Sequence, residues 1–175
     1  MKLRPATPAD ADAIRAVADA AWWDVYPGVL GPDRVETALD RLYDPDFLRE
    51  VLADGEELLF VVAERGGEVV GFASAAQTFA DEVELYTLYV HPDHQQEGVG
   101  TALLASVADS ADEAGAGRLR AGVLSGNHVA RAFFEGHGFE RVETVQTEVG
   151  GETHPEDILE SPVATVQTVH DGESA

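Results

Sequence analysis

The chain has 175 residues, 45% of them apolar, and a formal net charge of −22 from 33 acidic and 11 basic residues. That length and apolar share suit one folded domain with a real core and exclude a disordered chain. The acid excess repels phosphate backbones and excludes nucleic-acid binding. The absence of cysteine excludes disulfides, thiolate zinc sites and a cysteine nucleophile.

No apolar run reaches the roughly 20 residues of a membrane helix, and MKLRPATPAD has no apolar signal core. The chain therefore reads as soluble and cytoplasmic. Its acids are spread along the whole length, and Lys2 is the one lysine. Such a surface suits either cationic substrates or adaptation to high salt, where screening removes self-repulsion. The diffuse spread favours the second and predicts poor stability in dilute buffer.

Residues 3–7 read as a short strand, after which Thr7 caps a helix with Pro8 at its first position, running to about Ala21. Residues 22–32, WWDVYPGVLGP, read as an aromatic loop. Helices follow over about 32–43 and from Pro45 to a stop at Gly55. A hairpin turns at Gly66-Gly67, and residues 81–90 form another strand. A helix runs from Gly98 to about Ala114 with Gly115 as its stop. Then come a strand at 118–124, a helix at 128–137 ended by Gly138, a strand at 139–149 and a last strand within 157–166. The pattern predicts a single α+β domain over residues 1–166 with a mixed sheet and a frayed tail over 167–175.

Gln95-x-x-Gly98-x-Gly100 lies between a strand and a helix. A helix start offers unpaired N–H groups and the positive end of a dipole, and glycine lets an anion approach the backbone. A dinucleotide fingerprint would need a third glycine where Leu103 stands, and a P-loop would need a lysine.

The segment LYVHPDHQQEGVGTALL resembles the pyrophosphate motif of the GNAT N-acetyltransferase superfamily. NHVARAFFEGHGF, residues 127–139, is similar to its second motif, and LRPATPADADAI to its usual opening. The element order matches over about residues 2–163. The resemblance implies a GNAT-like α/β/α fold, with a mixed sheet of about six or seven strands and about four or five helices. It implies acetyl-CoA as co-substrate and an N-acetyltransferase acting on a primary amine: a small amine or polyamine, an amino acid, or a protein N-terminus or lysine. A homodimer through the C-terminal strands is compatible with it.

By this resemblance the backbone of Leu88, Tyr89 and Val90 pairs with the pantetheine arm, and the Leu88 N–H polarises the thioester carbonyl. Gln95, Gln96, Gly98, Val99, Gly100 and Thr101 hold the pyrophosphate. Asn127, Phe133 and Phe134 line the other side of the arm. Glu97 departs from the pattern, since a carboxylate beside a pyrophosphate is repulsive and the loop has no cation of its own apart from histidines.

Acetyl transfer to an amine requires loss of an ammonium proton, stabilisation of the thioester oxygen and departure of a thiolate. Glu84, read by alternation onto the same face as Tyr86, Leu88 and Val90, is the candidate base; the alternative is a solvent-facing strand charge. Phe134 stands where the family's general acid is usually a tyrosine, so the thiolate leaves unassisted or Tyr86, Tyr89, His137 or water protonates it. Trp22, Trp23, Tyr26 and Tyr86 are candidates for the acceptor site, the aromatics caging a cation; the alternative for the tryptophans is plain packing. His91 and His94 flank a proline with no third ligand nearby, so no metal site is expected. Phe134 and Glu97 also motivate a second hypothesis, a non-catalytic acyl-CoA-binding sensor or scaffold. A third is an interaction protein with an empty cleft.

Overall fold

Two glycines in left-handed conformations, Gly66 at φ +64° and Gly67 at +82°, turn strand β2 (Leu59–Arg65) back into β3 (Glu68–Phe79). That pair of positive φ values is what a two-residue hairpin of matching twist demands. The computed structural model describes residues 1–54 and 58–174, with side chains through residue 168; Gly55, the expected helix stop, lies outside the described residues. The sheet has seven strands in the order β1-β2-β3-β4-β5-β7-β6. The others are β1 (Lys2–Pro5), β4 (Glu82–Val90), β5 (Arg118–Leu124), β6 (Glu140–Val149) and β7 (Glu152–Pro162). All neighbours are antiparallel except β4 and β5. This is an α+β fold with a mixed sheet.

One face of the sheet carries α1 (Ala11–Val25), α2 (Pro27–Leu30), α3 (Pro32–Leu42) and α4 (Pro45–Asp54). Ile14, Val17, Trp22, Tyr26, Leu39 and Tyr43 pack there on Val62, Phe72 and Tyr89. The other face carries α5 (Val99–Glu113), α6 (His128–Gly136) and α7 (Val163–Ser174). There Leu103, Leu104, Val107 and Phe134 pack on Val83, Leu85 and Leu119.

Three elements differ from the sequence reading. The aromatic loop is helical: α1 continues through Val25 and Pro27 opens a further turn, because Trp22, Tyr26 and Leu30 are all buried in one cluster. The last strand starts at Glu152, directly after a Gly150-Gly151 turn with φ +60° and +83°. The end of the expected last strand is instead the start of α7, anchored against α5 by buried Val163 and Val166; burial of that stripe outweighs the weak helix propensity of a Val/Thr-rich segment.

The sheet opens at its centre. Strand β4 pairs with β5 only over Glu82–Leu85, opposite Arg118–Ala121, while its pairing with β3 continues to Val90. A register shift places Ser74 opposite Thr87 but Ala75 opposite Leu85, leaving Tyr86 as an inserted residue. Such a bulge bends its strand and changes the facing of the residues beyond it. Val83 and Leu85 therefore share a face with Leu88 and Val90, and Glu84 shares the opposite face with Tyr89. The bulge corrects the simple alternation that put Glu84 beside Leu88 and Val90.

Candidate active site

Where β4 leaves β5, a cleft of about 320 Å³ opens. Leu88, Tyr89 and Val90 form one wall, and Gln95, Gln96, Gly98, Val99, Gly100 and Thr101 form its end. Asn127, Phe133 and Phe134 form the other wall. Every residue expected to hold the donor therefore lines one space, together with Tyr26, Val129 and Ala130.

The glycine loop is shaped for an anion by its backbone. Gly98, the N-cap of α5, sits at φ +82°, and a Cβ there would meet nothing within 4 Å, so the space before the helix is open. The amides of Val99, Gly100 and Thr101 precede the first helical bond, from Ala102 N–H to Gly98 O at 3.0 Å. A Cβ on Gly100 would lie 3.3 Å from Phe133 Cε2, so glycine there sets the width between α5 and α6. Gln96 carries φ +62°, a strained value for a side-chain-bearing residue. Coenzyme A, with a pyrophosphate and an extended arm, fits this combination of free amides and an unpaired strand.

The Glu97 carboxylate does not stand alone at the loop: its Oε1 lies 3.4 Å from Arg65 Nη1 and 3.4 Å from His94 Nδ1. Arg65, from the end of β2, thus brings a cation to the loop that the sequence reading did not find, because 32 residues separate the pair. His91 serves the local backbone, its Nδ1 accepting the Asp93 N–H at 3.1 Å.

The second motif is held by Asn127. Its Oδ1 accepts the Ala130 N–H at 3.1 Å and caps α6, while its Nδ2 donates to Tyr26 Oη at 3.2 Å. Phe134 is 7% exposed, edge-on to Phe133 and Phe139 at 5.3 and 5.1 Å, and carries no proton to give. His137 is also buried, with Nε2 3.1 Å from Thr101 Oγ1 and Nδ1 2.8 Å from Phe133 O, so it ties α6 to α5 rather than facing the cleft. Burial pushes the Tyr89 hydroxyl well above its usual range.

A second cleft, about 430 Å³, lies on the α1–α4 side and shares Tyr26 and Tyr89 with the first. Trp22, Tyr43, Phe47 and Tyr86 supply aromatic wall, and Arg41, Glu148 and Glu156 supply charge. Burial pushes the Tyr43 hydroxyl up as well. The tip of the β6–β7 hairpin closes one end, held to α3 by Arg34 Nη1 donating to Gly150 O at 2.9 Å and Arg34 Nε 2.9 Å from Glu152. A small wedge lined by Tyr86, Leu88, Gly122, Asn127 and Phe134 joins the two clefts, and Tyr26 lines all three.

Of the expected acceptor residues, Trp22, Tyr26 and Tyr86 line this second cleft. Trp23 does not; it is 44% exposed, because continued helix turns it about 100° from Trp22. Glu84 is half-buried on β4, opposite Arg120, and is outside the lining of all three spaces. Glu156 escapes the sequence reading, because the segment before residue 157 reads as a loop.

The splayed sheet with a glycine loop at a helix start defines a class, and comparison with known proteins agrees. A family model described as the acetyltransferase (GNAT) family matches residues 19–139, and the chain belongs to that family. It is an acyl-CoA-dependent N-acetyltransferase by class. L-amino acid N-acyltransferase MnaT of Escherichia coli is 33% identical over 144 residues, 79% of each chain. An uncharacterized N-acetyltransferase of Mycobacterium tuberculosis is 29% identical over 130 residues, 74% of this chain and 83% of that one. The crystal structure of PaiA N-acetyltransferase from Thermoplasma acidophilum in complex with coenzyme A shares the fold at a TM-score of 0.81 and 21% identity, over 92% of this chain and 98% of that one.

Proposed function

We propose that the protein transfers the acetyl group of acetyl-CoA to the primary amine of a small acceptor, in the first instance the α-amine of an L-amino acid, by direct attack. The observation that carries this reading is that two clefts meet at the opening between β4 and β5, one lined by the glycine loop and the other by aromatic and charged side chains.

In this reading the first cleft holds the donor. The amides at the start of α5 face the pyrophosphate, and the Leu88 N–H polarises the thioester carbonyl, where charge builds up during attack. The second cleft holds the acceptor. Arg41, exposed in the last turn of α3, lines it and has no ion-pair or hydrogen-bond partner among the described residues, which suits an α-carboxylate. Glu148 and Glu156 suit an ammonium. The similarity to an L-amino acid N-acyltransferase supports the same acceptor class. The two acids also support a diamine or polyamine, which would place its second ammonium near Glu148.

With phenylalanine at position 134, no side chain of the second motif protonates the departing sulfur. General acid catalysis contributes about 10²–10⁴-fold, so its loss slows transfer without abolishing it. The test is calorimetric titration of acetyl-CoA in dilute buffer and at about 2–3 M KCl, where screening offsets the charge of −22. A thiol-release assay over L-amino acids and polyamines comes next. Micromolar binding with turnover of an amino acid is the expected result, and a folded protein that binds no acetyl-CoA at either salt would sink the reading.

A further inference from the structure

We infer that Glu156 of β7 is the proton acceptor for the acceptor amine, and that Gly122 of β5 is its seat. The inference rests on the acetyltransferase reading above and adds a residue to it.

Three observations carry it. Glu156 lines the second cleft together with Tyr86 and Gly122, and those two also line the wedge that leads to the donor side. Its carboxylate has no hydrogen-bond or ion-pair partner among the described residues; the nearby Arg120 is committed to Glu143 at 2.9 Å and to Glu82 and Glu160 at 3.8 and 3.6 Å. A Cβ on Gly122 would lie 2.8 Å from both the Glu156 Cδ and its Oε1, so the carboxylate rests against Gly122 and any side chain there would push it aside.

The protonation behaviour suits a base. Burial pushes the Glu156 carboxyl up, the Glu84 charge adds to this and Arg120 opposes it. A base works best with a pKa near the working pH, so an upward displacement helps a carboxylate. The charges that bear on it are Glu84 from β4 and Arg120 from β5; the charged and titratable groups that share its cleft are Tyr26, Arg41, Tyr43, Tyr86, Tyr89 and Glu148. Glu84 thereby acts on Glu156 through its charge alone.

One proton of the substrate ammonium passes to a Glu156 oxygen. The freed lone pair on nitrogen forms a bond to the acetyl carbonyl carbon, and the C–S bond breaks with its electron pair on sulfur. A second proton from nitrogen goes to that sulfur to give the thiol, and Glu156 releases its proton to water.

The experiment measures thiol release with acetyl-CoA and the L-amino acids and spermidine as acceptors, across pH, beside calorimetric acetyl-CoA affinity and thermal unfolding. Glu156→Gln should lower kcat/KM by about 10²–10⁴-fold, abolish the acidic limb of its pH profile and leave acetyl-CoA affinity within about twofold. Glu84→Gln should keep the limb and move it to lower pH. Gly122→Ala, which displaces the carboxylate without removing it, should lose turnover in the same way and so guards against a folding defect in the Gln variant. Wild-type turnover with an unchanged Glu156→Gln profile overturns the assignment and leaves the acetyltransferase reading intact. A rate lost in Glu84→Gln but not in Glu156→Gln moves the base to Glu84. Absence of turnover of every amine by wild type removes both.

Discussion

The side-chain amide of Asn127 donates to the Tyr26 hydroxyl at 3.2 Å, joining the cap of α6 to the end of α1. The same amide cannot turn over, because its oxygen is already committed to the Ala130 N–H at 3.1 Å. Two walls of the first cleft are thereby set at a fixed separation. Asn127→Ala loses both cap and donor and is expected to cost about 1–3 kcal/mol, whereas Tyr26→Phe should cost about 1 kcal/mol. Denaturant unfolding of the two variants and their double should show a coupling of roughly 0.5–1.5 kcal/mol. Strict additivity would mean that the bond is not made in solution.

The two glycines of the loop should respond differently to alanine. At Gly98, φ +82° opposes any side chain, so Gly98→Ala is expected to lower stability by about 1–2 kcal/mol although the space is free. At Gly100 the helical backbone accepts alanine, and propensity offsets up to about 1 kcal/mol, but the new Cβ meets Phe133 at 3.3 Å. Gly100→Ala should therefore unfold near the wild-type temperature and bind acetyl-CoA roughly tenfold or more weakly. Equal affinity in calorimetry would show that the width between α5 and α6 does not matter to the donor.

Asp10 gives a pH signature away from the site. Its carboxylate takes two 2.8 Å bonds from Arg4 and one from the Thr7 N–H, and the Arg4 bonds hold it below the ordinary carboxylate range. A depressed folded pKa supplies stability above the unfolded value and loses it as pH falls through the folded one. Asp10→Asn should be about 2–4 kcal/mol less stable at pH 7. The gap to wild type should close as the medium is acidified through the carboxylate range. A gap independent of pH would refute the charge-assisted account.

Deleting the chain after Pro162 removes α7. Val163 and Val166, 3% and 1% exposed, would be lost from the core that α5 shares, along with the Gln167 to Asp109 bond at 2.9 Å. Two fully buried valines account for about 3–5 kcal/mol as an upper bound. Thermal unfolding should fall by at least several degrees; an unchanged Tm would mean that the packing of α7 on α5 adds nothing to stability.

Much of the fold was legible because its signals are local. Gly66-Gly67, Gly98, Gly115 and Gly138 all adopt positive φ where a turn or helix boundary was read, and the two motifs around Gly98 and Asn127 do line one cleft. The Gly150-Gly151 turn carried the same signal as Gly66-Gly67. The strand after it was obscured by Pro155, which β7 accommodates opposite Gln146.

By itself, then, the order of residues determined the turns, the caps, the glycine loop and the family, since each depends on neighbours a few positions apart. The tertiary structure alone decided which carboxylates reach the second cleft. The bulge at Tyr86 arises from pairing with β3 and reverses the facing that alternation assigns to Glu84. Arg65 meets Glu97, Gly122 receives Glu156, and α7 forms on α5 through contacts made only after distant segments pack. No periodicity along the chain encodes such meetings, because the energy that selects them is the burial and charge pairing of the assembled sheet.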